Sequence, residues 1–479
     1  FKEFMKQYLP IFILLFLIKI QLIEASPKND TLLFDNLKKI KLIKNDKLII
    51  KKIEIIGNKK TKRNIITREL TIKEGSKVLK EDFISILMED ERKVINTDLF
   101  NEVEFRIDII EENLVLLNIK VIESIYWIPS LIFELSDRNF NDWWVNFNHD
   151  FNRINYGVGL RQYNLSGRGD IAEFLFRLGF IKEFYGSYYL PYLSKKQKGG
   201  IEIDFNYMAY DHIEYNTVDY IPLFYKSNKS LLNSFTTSIE YSHRESFYNY
   251  HYFKLEYINI EKDDYLNFLN DNYLNDKNIN NVFNLSYEFD RDFRDIKNYP
   301  LDGFRLNVSI NKYGLGIFKD VNNWKARIYY SNYFKLKNKF YYSFNISSFV
   351  SSKNQKYLMY EYTDQIRGFE KYLIHGFSNI TYQNSFKKRI FSGNIKRDFS
   401  EYFRKIKNIP IDIYLKIFYD SGIIWKYESN QDMFLNNTYI YSFGVGLDIV
   451  TLKNLSFTSE VSRNSQKEIN LSLKLGADF

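Results

Sequence analysis

Few residues in this 479-residue chain are capable of covalent or metal chemistry. It has no Cys, which excludes thiolate nucleophiles, Cys-based metal sites and disulfides together. The five histidines, His149, His212, His243, His251 and His375, stand at no metal-ligand spacing. Gly157-Val158-Gly159 and Gly444-Val445-Gly446 do not open a helix after a strand, so they read as room within strands rather than phosphate cradles. Arg168-Gly169-Asp170 reads as a tight turn. No catalytic residue, metal or cofactor is expected. Two motifs carry directional charge: Asp364-Gln365-Ile366-Arg367-Gly368-Phe369 and Phe418-Tyr419-Asp420-Ser421-Gly422. A guanidinium and a carboxylate form a planar, two-pronged pair suited to pinning a loop, and Gly368 would let the backbone turn tightly beside it. Whether Arg367 and Asp420 meet depends on the elements that carry them.

From about residue 127 onward those elements alternate with a period of two. Phe174, Phe176 and Leu178 oppose Glu173 and Arg177; Phe304, Leu306, Val308 and Ile310 oppose Arg305, Asn307 and Asn311; Phe443, Val445, Leu447 and Ile449 oppose Ser442 and Asp448. One greasy and one polar face suit strands between lipid and a wet lumen, although a soluble sandwich alternates as well, with its aromatic side against a second sheet. Sixteen strands are expected, starting near 131, 154, 170, 183, 200, 233, 251, 281, 303, 324, 339, 378, 410, 438, 454 and 468. The stretches 261–280 and 351–377 read as long outer loops, the second holding Arg367. With Ile411, Ile413, Leu415 and Ile417 toward lipid, Phe418 and Asp420 point into the lumen, where an infolded loop could bring Arg367 to Asp420.

Residues 48–123 read differently. A β-rich run from Leu48 to Ile56 stops at Gly57-Asn58, Thr61 is placed to cap a helix with Ile65, Ile66 and Leu70 on one face, and Phe83, Ile84, Leu87 and Met88 mark a second helix. Strands over 103–107 and 114–121 complete a β-α-α-β-β unit. Ahead of it, Lys2 and Lys6 precede an apolar run from Tyr8 to Ile18 that Lys19 ends before spanning length, so residues 1–25 are expected to be a signal peptide and 26–47 a linker. Aromatics make up 18% of the chain and the net charge is +8, too mild and diffuse for a nucleic-acid binder.

The α/β unit resembles a POTRA domain through Ile55-x-Gly57-Asn58-x-x-Thr61, Arg68-Glu69-Leu70, Gly75, Asn96-Thr97-x-Leu99-Phe100 and Val121-x-Glu123. The Arg367 and Asp420 motifs resemble the two diagnostic motifs of the BamA superfamily (bacterial surface antigen type), and the last strand, ending on Phe479, is similar to the terminal strand of bacterial outer-membrane barrels. The resemblance implies an α+β POTRA domain (48–123) followed by an all-β transmembrane barrel (127–479). It further implies a lock of Ile366, Arg367, Gly368, Phe369, Phe418, Asp420 and Gly422. Family members often place an acidic second partner for the arginine on the strand after its loop, where this chain has Ser385.

By the same resemblance, unfolded outer-membrane clients add a strand to the POTRA edge at Asn101, Val103, Phe105 and Ile107, and pass to a seam formed by Leu131 and Phe133 on the first strand and Leu473, Leu475 and Phe479 on the last. The function implied is assembly of outer-membrane proteins, without enzymatic activity, with the POTRA domain in the periplasm. Partners implied are the clients, the lipid bilayer and accessory envelope lipoproteins, although such proteins usually have several POTRA domains and this chain has room for one. The alternative is a pore of the two-partner secretion type.

Overall fold

The computed structural model describes residues 36, 39–40 and 45–475, apart from 112, 138–141, 194–197, 319, 354, 364–365, 397–407, 428–432 and 452–454. The expected signal peptide, most of the linker and Phe479 lie outside the described residues.

The N-terminal unit is built from β1 (Lys47–Ile56), α1 (Arg63–Thr67), β2 (Lys77–Leu79), α2 (Lys80–Ile95), β3 (Phe100–Ile109) and β4 (Leu114–Glu123). Its sheet runs β2-β1-β4-β3, with β1 and β4 parallel, so β3 is an edge. Phe83, Leu87 and Val94 fall on one face of α2 and bury against Ile50, Ile53, Phe105, Ile107, Leu117 and Ile119. Two expectations need correction. A short strand, β2, intervenes between the helices. Thr61 is not the cap of α1, whose N-cap is Lys62 without a side-chain bond; Thr61 is instead held in the junction with the barrel, bonded to Glu123 at 2.8 Å and reached by Asn164 at 2.9 Å.

The barrel follows as β5 (Trp127–Leu135), β6 (Ile154–Tyr163), β7 (Ile171–Gly179), β8 (Ile181–Leu190) and β9 (Gly199–Tyr210). An outer hairpin, β10 (His212–Val218) and β11 (Ile221–Lys226), precedes β12 (Leu232–Arg244) and β13 (Asn249–Lys262). A short helix, α3 (Tyr265–Leu269), lies in the next loop, before β14 (Ile279–Asp292), β15 (Gly303–Tyr313), β16 (Asn323–Lys335) and β17 (Phe340–Ser351). The loop carrying Arg367 contains the small strands β18 (Tyr362–Thr363) and β19 (Ile374–His375). The last five are β20 (Ser378–Lys396), β21 (Asn408–Trp425), β22 (Ile440–Thr451), β23 (Leu455–Asn464) and β24 (Ile469–Leu475).

Sixteen of these strands form one antiparallel sheet with β5 and β24 at its ends. Its two faces segregate as the alternation requires: on β21, Leu415 and Ile417 are exposed while Lys416, Phe418 and Asp420 are buried. Among the described residues no helix is long and apolar enough to cross a membrane.

The unit packs on the turns at one end of the barrel. Arg244, the last residue of β12, grips Glu69 with two bonds of 2.7 and 2.6 Å. The Arg68 guanidinium lies 4.1 Å from the Tyr192 ring centroid, and Tyr248 donates to Glu89 at 2.7 Å. Burial alone would raise the Glu69 carboxyl, but the hydrogen bonds and charge of Arg244, with Arg68, hold it below the usual carboxylate range.

Candidate functional site

The lumen-facing parity of β20, β21, β22 and β23 meets the Arg367 loop from inside the barrel. Arg367 Nε donates to Asp420 Oδ2 at 2.7 Å and Nη2 to Oδ1 at 2.6 Å, the two-pronged geometry of a guanidinium–carboxylate pair. The Arg367 backbone N–H also donates to Asp420, at 3.1 Å. Nη1 reaches Ser385 Oγ at 3.1 Å and Glu460 Oε1 at 3.2 Å, and Nη2 reaches the Asn384 carbonyl at 3.0 Å. These bonds occupy all five guanidinium donors. The cation also lies 4.0 Å from the centroid of the Phe418 ring. With Arg367 and Asp420 both almost fully buried, leaving either charge unpaired would be far more destabilising than losing a surface ion pair.

The neighbouring glycines explain how the loop fits. Gly368 has φ +87°, and a Cβ there would lie 2.9 Å from Ser462 Oγ. At Gly422 a Cβ would lie 2.8 Å from both the Ile366 side chain and the Ile380 carbonyl. Ile366 and Phe369 bury in one cluster with Ile424 and Ile440. Beyond the arginine, the Gly368 carbonyl accepts from Asn464 and Asn470, both at 2.8 Å, while Lys371 pairs with Glu468 at 2.6 Å. The loop is therefore tied to β23, to β24 and to the turn between them.

Toward the N-terminal unit the charge network continues. Lys416 bridges Asp448 at 2.9 Å and Glu460 at 2.8 Å, and Lys387 stands 3.8 Å from Asp448. The three buried cations Arg367, Lys416 and Lys387 match the three buried carboxylates Asp420, Asp448 and Glu460, and the more exposed Lys474 stands 3.6 Å from Glu460. Tyr299, from the turn between β14 and β15, reaches across the lumen to donate to Asp448 at 2.8 Å.

The other expected residues separate into two places. Val103, Phe105 and Ile107 send their side chains into the core of the N-terminal unit, so only their backbone faces the sheet edge. That edge is partly occupied: Asn36 donates to the Phe105 carbonyl at 2.8 Å and accepts from the Ile107 N–H at 3.3 Å, while Lys39 donates to the Ile107 carbonyl at 2.7 Å. Asn101 accepts from Ser124 at 3.0 Å. Leu131 and Phe133 on β5 are strongly exposed, at 88% and 78%, and Leu473 on β24 is exposed too. Leu475 closes the described part of β24, opposite Phe457. Among the described residues β5 and β24 pair only with β6 and β23, not with each other.

A family model described as the Omp85 superfamily domain matches residues 164–462. The chain belongs to the Omp85 superfamily. Its fold is similar to that of BamA from Haemophilus ducreyi lacking POTRA domains 1–3, at 14% identity and a TM-score of 0.51 over 90% of this chain and 84% of that one. It is similar also to CdiB from Escherichia coli, at 11% identity and a TM-score of 0.55 over 90% of this chain and 76% of that one. For CdiB from Acinetobacter baumannii the values are 13% and 0.50, over 100% of this chain and 87% of that one. No curated protein sequence matches. An Omp85 barrel is an outer-membrane barrel.

In this Omp85 chain the second carboxylate on the arginine stands three strands beyond the position of Ser385, at Glu460 on β23. Sequence reasoning missed it. The available signal was parity, since Glu460 alternates with the outward Val461, but Asp412 and Asp448 satisfy the same test. Only the curvature of the sheet selects among inward carboxylates on different strands.

Proposed function

We propose that this protein is an outer-membrane assembly factor whose N-terminal unit, a POTRA domain facing the periplasm, receives unfolded β-barrel precursors and delivers them to the seam between β5 and β24. The observation that carries the reading is the tether between the Arg367 loop and the strand at that seam: Gly368 is held by Asn470 of β24, and Lys371 by Glu468 just before it. A lock that grips the terminal strand from inside governs how that strand sits against β5. Unpaired backbone groups in the bilayer core are costly, so a client strand that satisfies them at an opened seam is favoured without nucleotide or covalent chemistry. At the POTRA edge, a client strand would replace the Asn36 and Lys39 contacts with a ladder of backbone bonds.

The lumen is occupied by the Arg367 loop and the Tyr299 turn, which favours the seam over the lumen as the working route. Arg367→Ala in cells that depend on this protein is expected to lower the levels of other outer-membrane barrels, read by quantifying the outer-membrane proteome after depletion of the wild-type copy. Unchanged barrels with loss of a single secreted polypeptide would overturn the reading in favour of a two-partner secretion pore.

A further inference from the structure

The outer face of β16, β17 and β20 departs from a uniform greasy wall. Phe334, Leu336, Tyr342, Phe344, Tyr382 and Phe386 line an apolar groove of about 660 Å³. The cross-strand register explains it. Phe344 stands between Asn332 on β16 and Asn384 on β20, two short side chains at sites flanked by aromatic rows. At its foot the Tyr342 and Tyr382 hydroxyls are 3.1 Å apart, which keeps both polar groups satisfied on an apolar surface.

Where the groove opens toward the barrel end, the chain turns through Lys337 and Lys339, both exposed, and Lys388, on the outward parity of β20 with Tyr382 and Phe386, places its ammonium 5.0 Å from the Phe340 ring centroid. None of these three lysines is in an ion pair among the described residues. The three strands and the turn, residues 323–351 and 378–396, contain no Asp or Glu. The turn lies at the same end of the barrel as the docked N-terminal unit, because the strands alternate in direction from the β6–β7, β12–β13 and β14–β15 turns that contact it.

We infer that this corner is a binding site for an anionic phospholipid, with an acyl chain along Phe334, Phe344 and Tyr382 and the phosphate among Lys337, Lys339 and Lys388. A ring of ammonium groups at the polar boundary above an aromatic groove matches both halves of such a lipid, whereas a zwitterionic headgroup brings its own ammonium against the lysines. The placement agrees with the reading that this end faces the periplasm. The site itself requires only that the outward face be in lipid, and it stands whether the protein assembles barrels or secretes.

The test is native mass spectrometry of the full chain released from nanodiscs of phosphatidylethanolamine and phosphatidylglycerol in known ratio. Phosphatidylglycerol is expected to be retained in clear excess over its bulk share. The triple variant K337Q/K339Q/K388Q should cut that excess by roughly fivefold or more, taking the attraction of one basic residue to an anionic surface as the minimum. Tyr382→Ala should reduce the lipid retained while leaving the headgroup preference. Heat-modifiable migration on gels verifies that each variant is folded. Equal retention of the two lipids by the wild-type protein, which requires no variant, overturns the proposal; so does a preference that survives the triple substitution, or a lipid-free dimer buried through this face. These outcomes are independent of the outer-membrane proteome, so failure here and failure of the assembly reading are told apart.

Discussion

At the scale of single residues, Arg367 works because every donor of its guanidinium has an acceptor, and two carboxylates share the charge. Glu460 serves both Arg367 and Lys416, so Glu460→Gln leaves two buried cations each short of a partner. Breaking a buried pair on one side typically costs about 3–5 kcal/mol. A lower thermal midpoint of heat-modifiable unfolding is therefore expected for Glu460→Gln than for the exposed-site control Glu261→Gln. Ser385 already touches Nη1, so Ser385→Glu placed in the Glu460→Gln background should recover part of the loss. No recovery would mean that Lys416, rather than Arg367, is what Glu460 stabilises. The Arg367–Asp420 contact was legible in the sequence, because β-parity assigns the face and the motif supplies the residues. Glu460 was not, since which inward side chains converge is set by barrel curvature rather than by any local pattern.

At the scale of elements, docking of the N-terminal unit rests on α1, α2 and the turns beneath the barrel, with Glu69 and Arg244 at the centre. Glu69 has its folded carboxyl held below its ordinary value of 4.5. A depressed carboxyl contributes stability that is fully present above the unfolded value and is lost as pH falls through the lower folded one. Docking is thus expected to be unchanged from pH 7 down to about 5 and to loosen only in stronger acid. Glu69→Gln should show the loosened state already at pH 7, as faster amide exchange in β12–β13 turn residues and in α1. An identical pH profile for the wild type and the variant would exclude Glu69 as the cause. The unit's helices and three longer strands were readable from periodicity. Thr61 was misread because its spacing suits a helix cap, while its actual partners, Glu123 and Asn164, are 62 and 103 residues away in sequence. The β10–β11 hairpin was missed for a related reason: it extends past the barrel wall, and its tip residue Tyr220 packs against Ile366 and Phe369 of the Arg367 loop, a long-range contact that strand alternation does not encode.

At the scale of the whole molecule, the sixteen strand starts lie within a few residues of those expected from alternation, because one-residue slips would put every lumen-facing charge into lipid. Closure is what alternation does not specify. β5 and β24 end the sheet, Leu131 and Phe133 stand almost bare, and the strand on the far side of the seam is gripped from within through Gly368. If clients enter at this seam, covalent closure should abolish function while leaving the barrel folded. Since the chain has no native Cys, one engineered pair joining β5 to β24 forms a disulfide with no competing thiol. Cells dependent on the crosslinked protein are expected to stop growing under oxidising conditions and to recover when a reductant is added. Growth unaffected by a fully formed crosslink would remove the seam from the mechanism and require the lumen, with Arg367 and Tyr299 displaced, to be the route.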